Sequence, residues 1–219
     1  MKLISGLLRI GLRLALGAVA VLAISLVLGR FLPVPSTLMI GRWLVHSPVS
    51  RQWQPLEAIA PSLPRAVVAS EDQRFCEHWG VDFGALAEVL DDPDGPSRGA
   101  STVTMQVVKN VYLWPGRSYI RKGLEIPFAF LVDLAWGKAR VMEVYLNIAE
   151  WGDGIFGAEA AARHYFNKPA ARLSPAEAAR LVSILPDPLR RDPRRDSASA
   201  RRVAGRSLTI GDLADCVSR

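Results

Sequence analysis

Ala69-Ser70-Glu71-Asp72-Gln73-Arg74-Phe75-Cys76-Glu77-His78-Trp79-Gly80-Val81-Asp82 sets acids, an arginine, aromatic rings and a histidine beside an Ala/Val-rich segment. Burying a carboxylate is costly unless it is paired or has a chemical task. A helix continued through this stretch places Glu71, Arg74 and His78 at i, i+3 and i+7 on one face. Taken alone, the window reads equally well as a salt-bridged helix end. The rest of the chain decides between the two.

Upstream, Ser62 is positioned to cap a helix from about Leu63, with Pro64 in its first turn. Downstream, 91–99 (DDPDGPSRG) is a polar loop. A helical pattern resumes near Ser101, with Val103, Val107, Val108 and Val111 on one face. Ile120–Trp136 is the next helix candidate, and Pro127 predicts a kink or restart inside it. Val141, Met142, Val144, Tyr145 and Ile148 form another amphipathic stretch, and Ala158–Tyr165 an Ala-rich helix. Ser174-Pro175-Ala176-Glu177 resembles a capping box. Asp192 onward is Arg-rich and is expected to fray before a short terminal helix. Strand-like alternation is scarce, so the domain reads as mainly α.

The first third of the chain reads differently. Leu14–Gly29 carries no charge, and apolar neighbours extend it to the roughly 20 residues that span a bilayer. Lys2, Arg9 and Arg13 precede it, so the positive-inside rule puts residues 1–13 in the cytoplasm and the domain outside. Arg30, Phe31 and Leu32 stand where a signal-peptidase site belongs, which favours an uncleaved anchor over 14–32. Residues 33–61 are punctuated by prolines and read as a membrane-proximal linker or subdomain, ahead of a domain over 62–219. Met39, Ile40, Trp43 and Leu44 lie at helical spacing there; core packing is the expectation, and a membrane-interface contact the alternative.

The net charge is +6, with a C-terminal run of Arg190, Arg191, Arg194, Arg195, Arg201, Arg202 and Arg206. Beside a membrane this suits lipid head groups or a pyrophosphate, and the anchor argues against nucleic acid. Cys76 and Cys216 fit no metal spacing. They read as two unrelated free thiols, although an extracytoplasmic location would permit pairing.

Two further constellations carry possible chemistry. In 99–110 (GASTVTMQVVKN), Gly-Ser-Thr is ordinary helix-start chemistry, while Gln106, Lys109 and Asn110 make a polar stripe opposite the valines. In 117–125 (RSYIRKGLE), Arg121 and Lys122 precede Glu125 by four and three residues. That is the weaker order for a helix ion pair, so pair stabilisation explains it poorly.

These motifs, in this order, resemble those of the peptidoglycan glycosyltransferases, the lysozyme-like domain also found in class A penicillin-binding proteins. The first is similar to ED-x-R-F-x-x-H-x-G-x-D, the second to G-G-S-T-[IV]-[ST]-Q-Q-x-x-K-N and the third to R-K-x-x-E. Lys138–Asn147 is similar to K-x-x-I-L-E-x-Y-L-N, and a fifth motif lies in Glu177–Leu181 with Leu185–Pro188. The likeness runs from about Leu63 to Arg190. With one anchor and no penicillin-binding domain expected after Arg219, the chain resembles the monofunctional branch of that family. Two positions depart from the pattern: Ala100 replaces a glycine and Met105 a glutamine. Met105 lacks an amide, so weaker substrate binding is the expectation if that amide touches substrate.

The resemblance implies a substrate, lipid II, a mechanism and partners. Glu71 is the implied general base, taking the proton of the attacking sugar hydroxyl. Lys109, Arg117, Arg121 and Lys122 are the implied clamp on the leaving pyrophosphate, and Ser101, Gln106 and Asn110 position sugars. Glu125 either orients the cations or shares a pyrophosphate-bound Mg²⁺; no tightly bound cofactor is implied. Asp72, Arg74 and His78 are implied to support the base from behind, a purely structural role being the other reading. The implied partners are lipid II, the growing glycan strand and the membrane, with other wall-synthesis or division proteins as further candidates. A glycan-cleaving lysozyme-like enzyme and a non-catalytic membrane adapter are the competing readings.

Overall fold

A computed structural model describes residues 2–91, 101–116 and 118–217, and it divides into two units, 1–33 and 34–219. The first is a single helix, α1 (Lys2–Phe31), whose segment Arg9–Phe31 is long and apolar enough to cross a membrane. At 1.5 Å per residue the helix is about 45 Å long.

The second unit is mainly α. Its first helix, α2 (Thr37–Leu44), begins at a Ser36 cap and packs on α5 (Val103–Tyr112). Segment 33–61 is therefore no loose tether from Val34 onward. Ser50–Arg51 (β1) pairs in parallel with Ile155–Phe156 (β3), which pairs antiparallel with Glu150–Gly152 (β2). Of the four apolar residues expected to pack here, only Met39 is buried; Ile40, Trp43 and Leu44 are exposed.

Helix α3 (Ser62–Glu71) is the centre of the unit, with Leu63, Ala66, Val67, Val68 and Ala69 buried. It begins one residue earlier than the sequence suggests. Pro61 holds the cap position without a side-chain bond, and the Ser62 hydroxyl donates instead to the Leu173 carbonyl. After α4 (Phe83–Leu90) and α5 comes α6 (Tyr119–Trp136), one continuous helix despite Pro127, so the expected restart does not occur. Helix α7 (Lys138–Ile148) buries Val141, Met142, Val144, Tyr145 and Ile148. Helix α8 (Ala158–Phe166) follows the small sheet, and α9 (Pro175–Ile184) starts with the full Ser174–Glu177 capping box.

Two expectations about the C-terminal part need correction. The Arg-rich region does not fray into a short helix. Ser197 caps the 12-residue helix α10 (Ala198–Thr209), which packs on α3 and α9 through Ala200 and Val203. Nor are the cysteines free: Cys76 and Cys216 form a disulfide across 140 residues of chain. It ties the closing 3₁₀ turn, Gly211–Val217, to the loop that follows α3.

Candidate active site

Glu71 is the last residue of α3, because Asp72 leaves helical space (φ −160°, ψ 78°). The Asp72 carboxylate is fully used: Oδ1 lies 2.9 Å from His78 Nε2, and Oδ2 accepts the Val103 N–H at 2.9 Å. Val103 opens α5, where backbone donors lack helical partners and negative charge is favoured. Asp72 thus fastens the start of α5 to the end of α3. A second fastening is Thr102, whose hydroxyl accepts from the Met105 N–H and donates to the Gly80 carbonyl at 2.6 Å. Gly80 has φ +77°, and a Cβ there would run into the Ala129 backbone of α6, so only glycine fits. A third is Thr104, bonded to Asp133, which in turn pairs with Lys138 at 2.8 Å.

Helical spacing from Glu71 to His78 does not hold. The chain after Glu71 is a series of turns. His78 reaches Asp72 through the loop, whereas Arg74 is exposed and pairs with Glu77 at 2.8 Å and Asp82 at 3.5 Å. Arg74 does not back Glu71.

Anchored in this way, α5 presents Gln106, Lys109 and Asn110 to a cleft of about 170 Å³ shared with Tyr145, Glu150, Leu185 and Pro188. The polar stripe is thus the lining of a concavity rather than a solvated face. Gln106 Nε2 donates to Glu71 Oε2 at 3.2 Å, and the Ser70 hydroxyl donates to Oε1 at 3.2 Å. Burial pushes the Lys109 ammonium below its ordinary pKa; Glu125 opposes that shift, while Arg121 and Lys122 add to it. Glu71 also acts on Lys109, so Glu71 and the cations share one electrostatic neighbourhood.

The cations come from the first turns of α6, capped by Ser118. Glu125 is 3% exposed and engages both: Arg121 Nη1 donates to Oε1, and Lys122 Nζ donates to Oε2 at 3.1 Å. Lys122 also donates to the Ser101 hydroxyl at 2.7 Å, linking α6 to the residues before α5. The unfavourable acid–base order along the helix now has a reason. One buried carboxylate holds two cations in place, and with Lys109 the cluster keeps an excess of positive charge.

The fourth motif is mostly scaffolding. Asn147 bonds the backbone of Gln54 in both directions at 2.8 Å, and Glu143 accepts the Leu56 N–H at 3.2 Å. These contacts seat α7 against the segment before α3. Tyr145 differs, because its hydroxyl reaches Gln106 Oε1 at 3.3 Å. Sequence reasoning took Tyr145 only as part of an amphipathic face; the visible signal was its place inside a motif with no assigned task. Met105 is 1% exposed and packs in the core, so it removes no contact from the cleft and gives no support to a non-catalytic adapter. Ala100 and Arg117 lie outside the described residues.

A helix-end carboxylate sharing one electrostatic neighbourhood with a cation cluster, in a mainly α domain, has the character of an enzyme active site, and that is the class the geometry supports. Comparison with known proteins gives the class a family. Residues 39–211 match the family described as Transglycosylase. The chain is 50% identical over 207 residues to the biosynthetic peptidoglycan transglycosylase of Brucella suis, covering 90% of this chain and 92% of that one. It is 52% identical over 197 residues to that of Rhodopseudomonas palustris strain HaA2, covering 88% and 86%. The Rhodospirillum centenum protein of the same description is 50% identical over 194 residues, covering 86% and 84%. The chain belongs to the transglycosylase family: it is a peptidoglycan glycosyltransferase with a lysozyme-like domain.

Proposed function

We propose that the enzyme polymerises lipid II into glycan strands, with inversion at the anomeric carbon and release of undecaprenyl pyrophosphate. The observation that carries this reading is the single electrostatic neighbourhood of Glu71, Lys109, Arg121, Lys122 and Glu125. A sugar hydroxyl is a poor nucleophile at neutral pH and needs a base as it attacks. Glu71 accepts the 4-hydroxyl proton of the acceptor unit. The hydroxyl oxygen bonds to the donor's anomeric carbon from the face opposite the leaving group, which gives inversion. The anomeric carbon–oxygen bond breaks, and the electron pair leaves on the pyrophosphate. Lys109, Arg121 and Lys122 meet that charge with charge-assisted hydrogen bonds, and Arg117 is a further cation for the same task. Ser101, Gln106 and Asn110 orient the sugars.

Glu125 orients Arg121 and Lys122. Its oxygens are both engaged by those cations, and among the described residues no group of three or more His, Cys, Asp or Glu side chains can hold a metal. A Mg²⁺ carried by the pyrophosphate would need only Glu125 as a protein ligand, and no step is routed through it.

In the same reading α1 is a single-pass anchor, with its N-terminus in the cytoplasm and the domain in the periplasm. The Cys76–Cys216 disulfide supports that side, since such bonds persist in oxidising compartments. Exposed Ile40, Trp43 and Leu44 suit contact with lipid. An apolar groove of about 490 Å³, lined by Trp79, Phe83, Ile126, Phe130 and Leu131, suits a hydrocarbon chain. The test is incubation with labelled lipid II in detergent. Polymer with matching release of undecaprenyl pyrophosphate is expected, whereas shortened preformed glycan without polymer points to a cleaving enzyme.

A further inference from the structure

We infer that Tyr145 is a positioning residue for glycosyl transfer: its hydroxyl fixes the Gln106 amide, and that amide fixes the carboxylate of Glu71. The inference rests on the reading of Glu71 as the base.

The direction of the hydrogen bonds follows from their chemistry. An ionised carboxylate only accepts, so the Gln106 group facing Glu71 Oε2 at 3.2 Å is the amide nitrogen. Gln106 Oε1 then needs a donor, and the Tyr145 hydroxyl at 3.3 Å supplies it. Tyr145 is able to donate at any pH the protein meets. Burial pushes its phenol well above the usual range, and the charges of Glu71 and Asp72 push the same way. A free glutamine amide can point either end toward a neighbour. Offering its oxygen to Glu71 would set two acceptors against each other, and the tyrosine removes that choice.

Tyr145 is itself well held. It is 2% exposed in α7, between buried Val144 and Leu146, and Asn147 pins the helix to Gln54. The rigid element is therefore linked to the base through two hydrogen bonds, while the base itself lies at a helix end. Among the described residues, only the Ser70 hydroxyl besides Gln106 holds the Glu71 carboxylate by a hydrogen bond. Losing the relay leaves one carboxylate oxygen unguided, and a misplaced reacting group of this kind slows the chemical step.

The experiment is steady-state polymerisation of lipid II by the full chain and four variants: Tyr145→Phe, Gln106→Ala, the double variant and Glu71→Gln. Tyr145→Phe keeps the ring and removes only the hydroxyl. It is expected to lower kcat by about 10–100-fold with KM within about two-fold, a split that loosened packing would not give. In the Gln106→Ala background, the same change is expected to alter kcat less than about two-fold, because the intermediary is gone. Unchanged kcat in Tyr145→Phe, or a loss that persists in full without Gln106, overturns the inference. Should Tyr145→Phe melt early, Gln106→Asn tests the same relay with the tyrosine intact, since the shortened amide no longer spans from Tyr145 to Glu71. It must lose at least as much kcat, and wild-type kcat there also overturns the inference. Glu71→Gln separates the two ideas. Activity retained in Glu71→Gln means the base assignment has failed, whereas inactivity there with a normal Tyr145→Phe means only the relay has.

Discussion

Lys109 shows how the site opposes the fold. Burial lowers its pKa, so in the folded state the charged form is disfavoured relative to the unfolded chain. That penalty is fully present below the lowered pKa and lifts as the pH rises through it toward the ordinary 10.5. Lys109→Met is therefore expected to match or exceed the wild-type melting temperature at pH 7, by roughly 0.5–2 kcal/mol in stability. The same variant should lose about a hundred-fold or more in kcat, as removal of one charge-stabilising group usually costs. Calorimetry beside a polymerisation assay checks both halves. A variant that melts lower and keeps its activity would place Lys109 in the scaffold. At this scale most of the candidate site was legible, because Glu71, Gln106, Lys109, Arg121, Lys122 and Glu125 sit in motifs that carry a resemblance. Two residues were not. Arg74 was misplaced because helical spacing was extended past Asp72, whose side chain is drawn away by His78 and Val103. The role of Tyr145 was hidden because a buried tyrosine on an apolar helix face looks like core from its spacing alone.

At the scale of elements, the start of α9 offers a measurable contribution. Burial raises the Glu177 pKa, but hydrogen bonds from Lys168 and from Ser174 outweigh it and hold the carboxyl at about 2, against an ordinary 4.5. A depressed folded pKa contributes stability above the unfolded value and loses it as the pH falls from 4.5 toward about 2. Glu177→Gln is expected to flatten that part of the acid unfolding curve. Ser174→Ala should cost about 1 kcal/mol at pH 7. Urea unfolding between pH 7 and pH 3 measures both, and parallel curves for wild type and Glu177→Gln would contradict the assignment. This capping box was legible because it is local, four residues in a row. The docking of α10 on α3 and α9 was not. Its arginines dominate the composition, and the small apolar set that packs it, Ala200 and Val203, is sparse in sequence. Pro127 misled for a related reason: a helix seated by Ala129, Val132 and Trp136 tolerates one missing backbone donor.

For the whole molecule, the disulfide is the feature no local pattern reveals. A 140-residue separation leaves no sequence trace of the 5.7 Å between the two Cα atoms. Closing so long a loop stabilises a domain by roughly 2–5 kcal/mol. Cys76→Ser with Cys216→Ser is expected to lower the melting temperature by about 5–15 °C, and reductant should affect the wild type but not the variant. Equal melting of both proteins with and without reductant would show that the bond contributes nothing. The long apolar helix α1, by contrast, was legible from composition, because an uninterrupted apolar run of that length is visible in the residues themselves. The mainly α fold followed from helical periodicity, and the small sheet did not, since its strands are two or three residues long.

The central claim is that Glu71 takes the proton while the cations of α5 and α6 receive the pyrophosphate. Polymerisation of labelled lipid II by the wild type and by Glu71→Gln, with equal melting temperatures, tests it most directly. The account predicts polymer from the wild type and a loss of about a hundred-fold or more in the variant, which keeps the shape of Glu71 but cannot accept a proton. Polymer at wild-type rate from Glu71→Gln would contradict it.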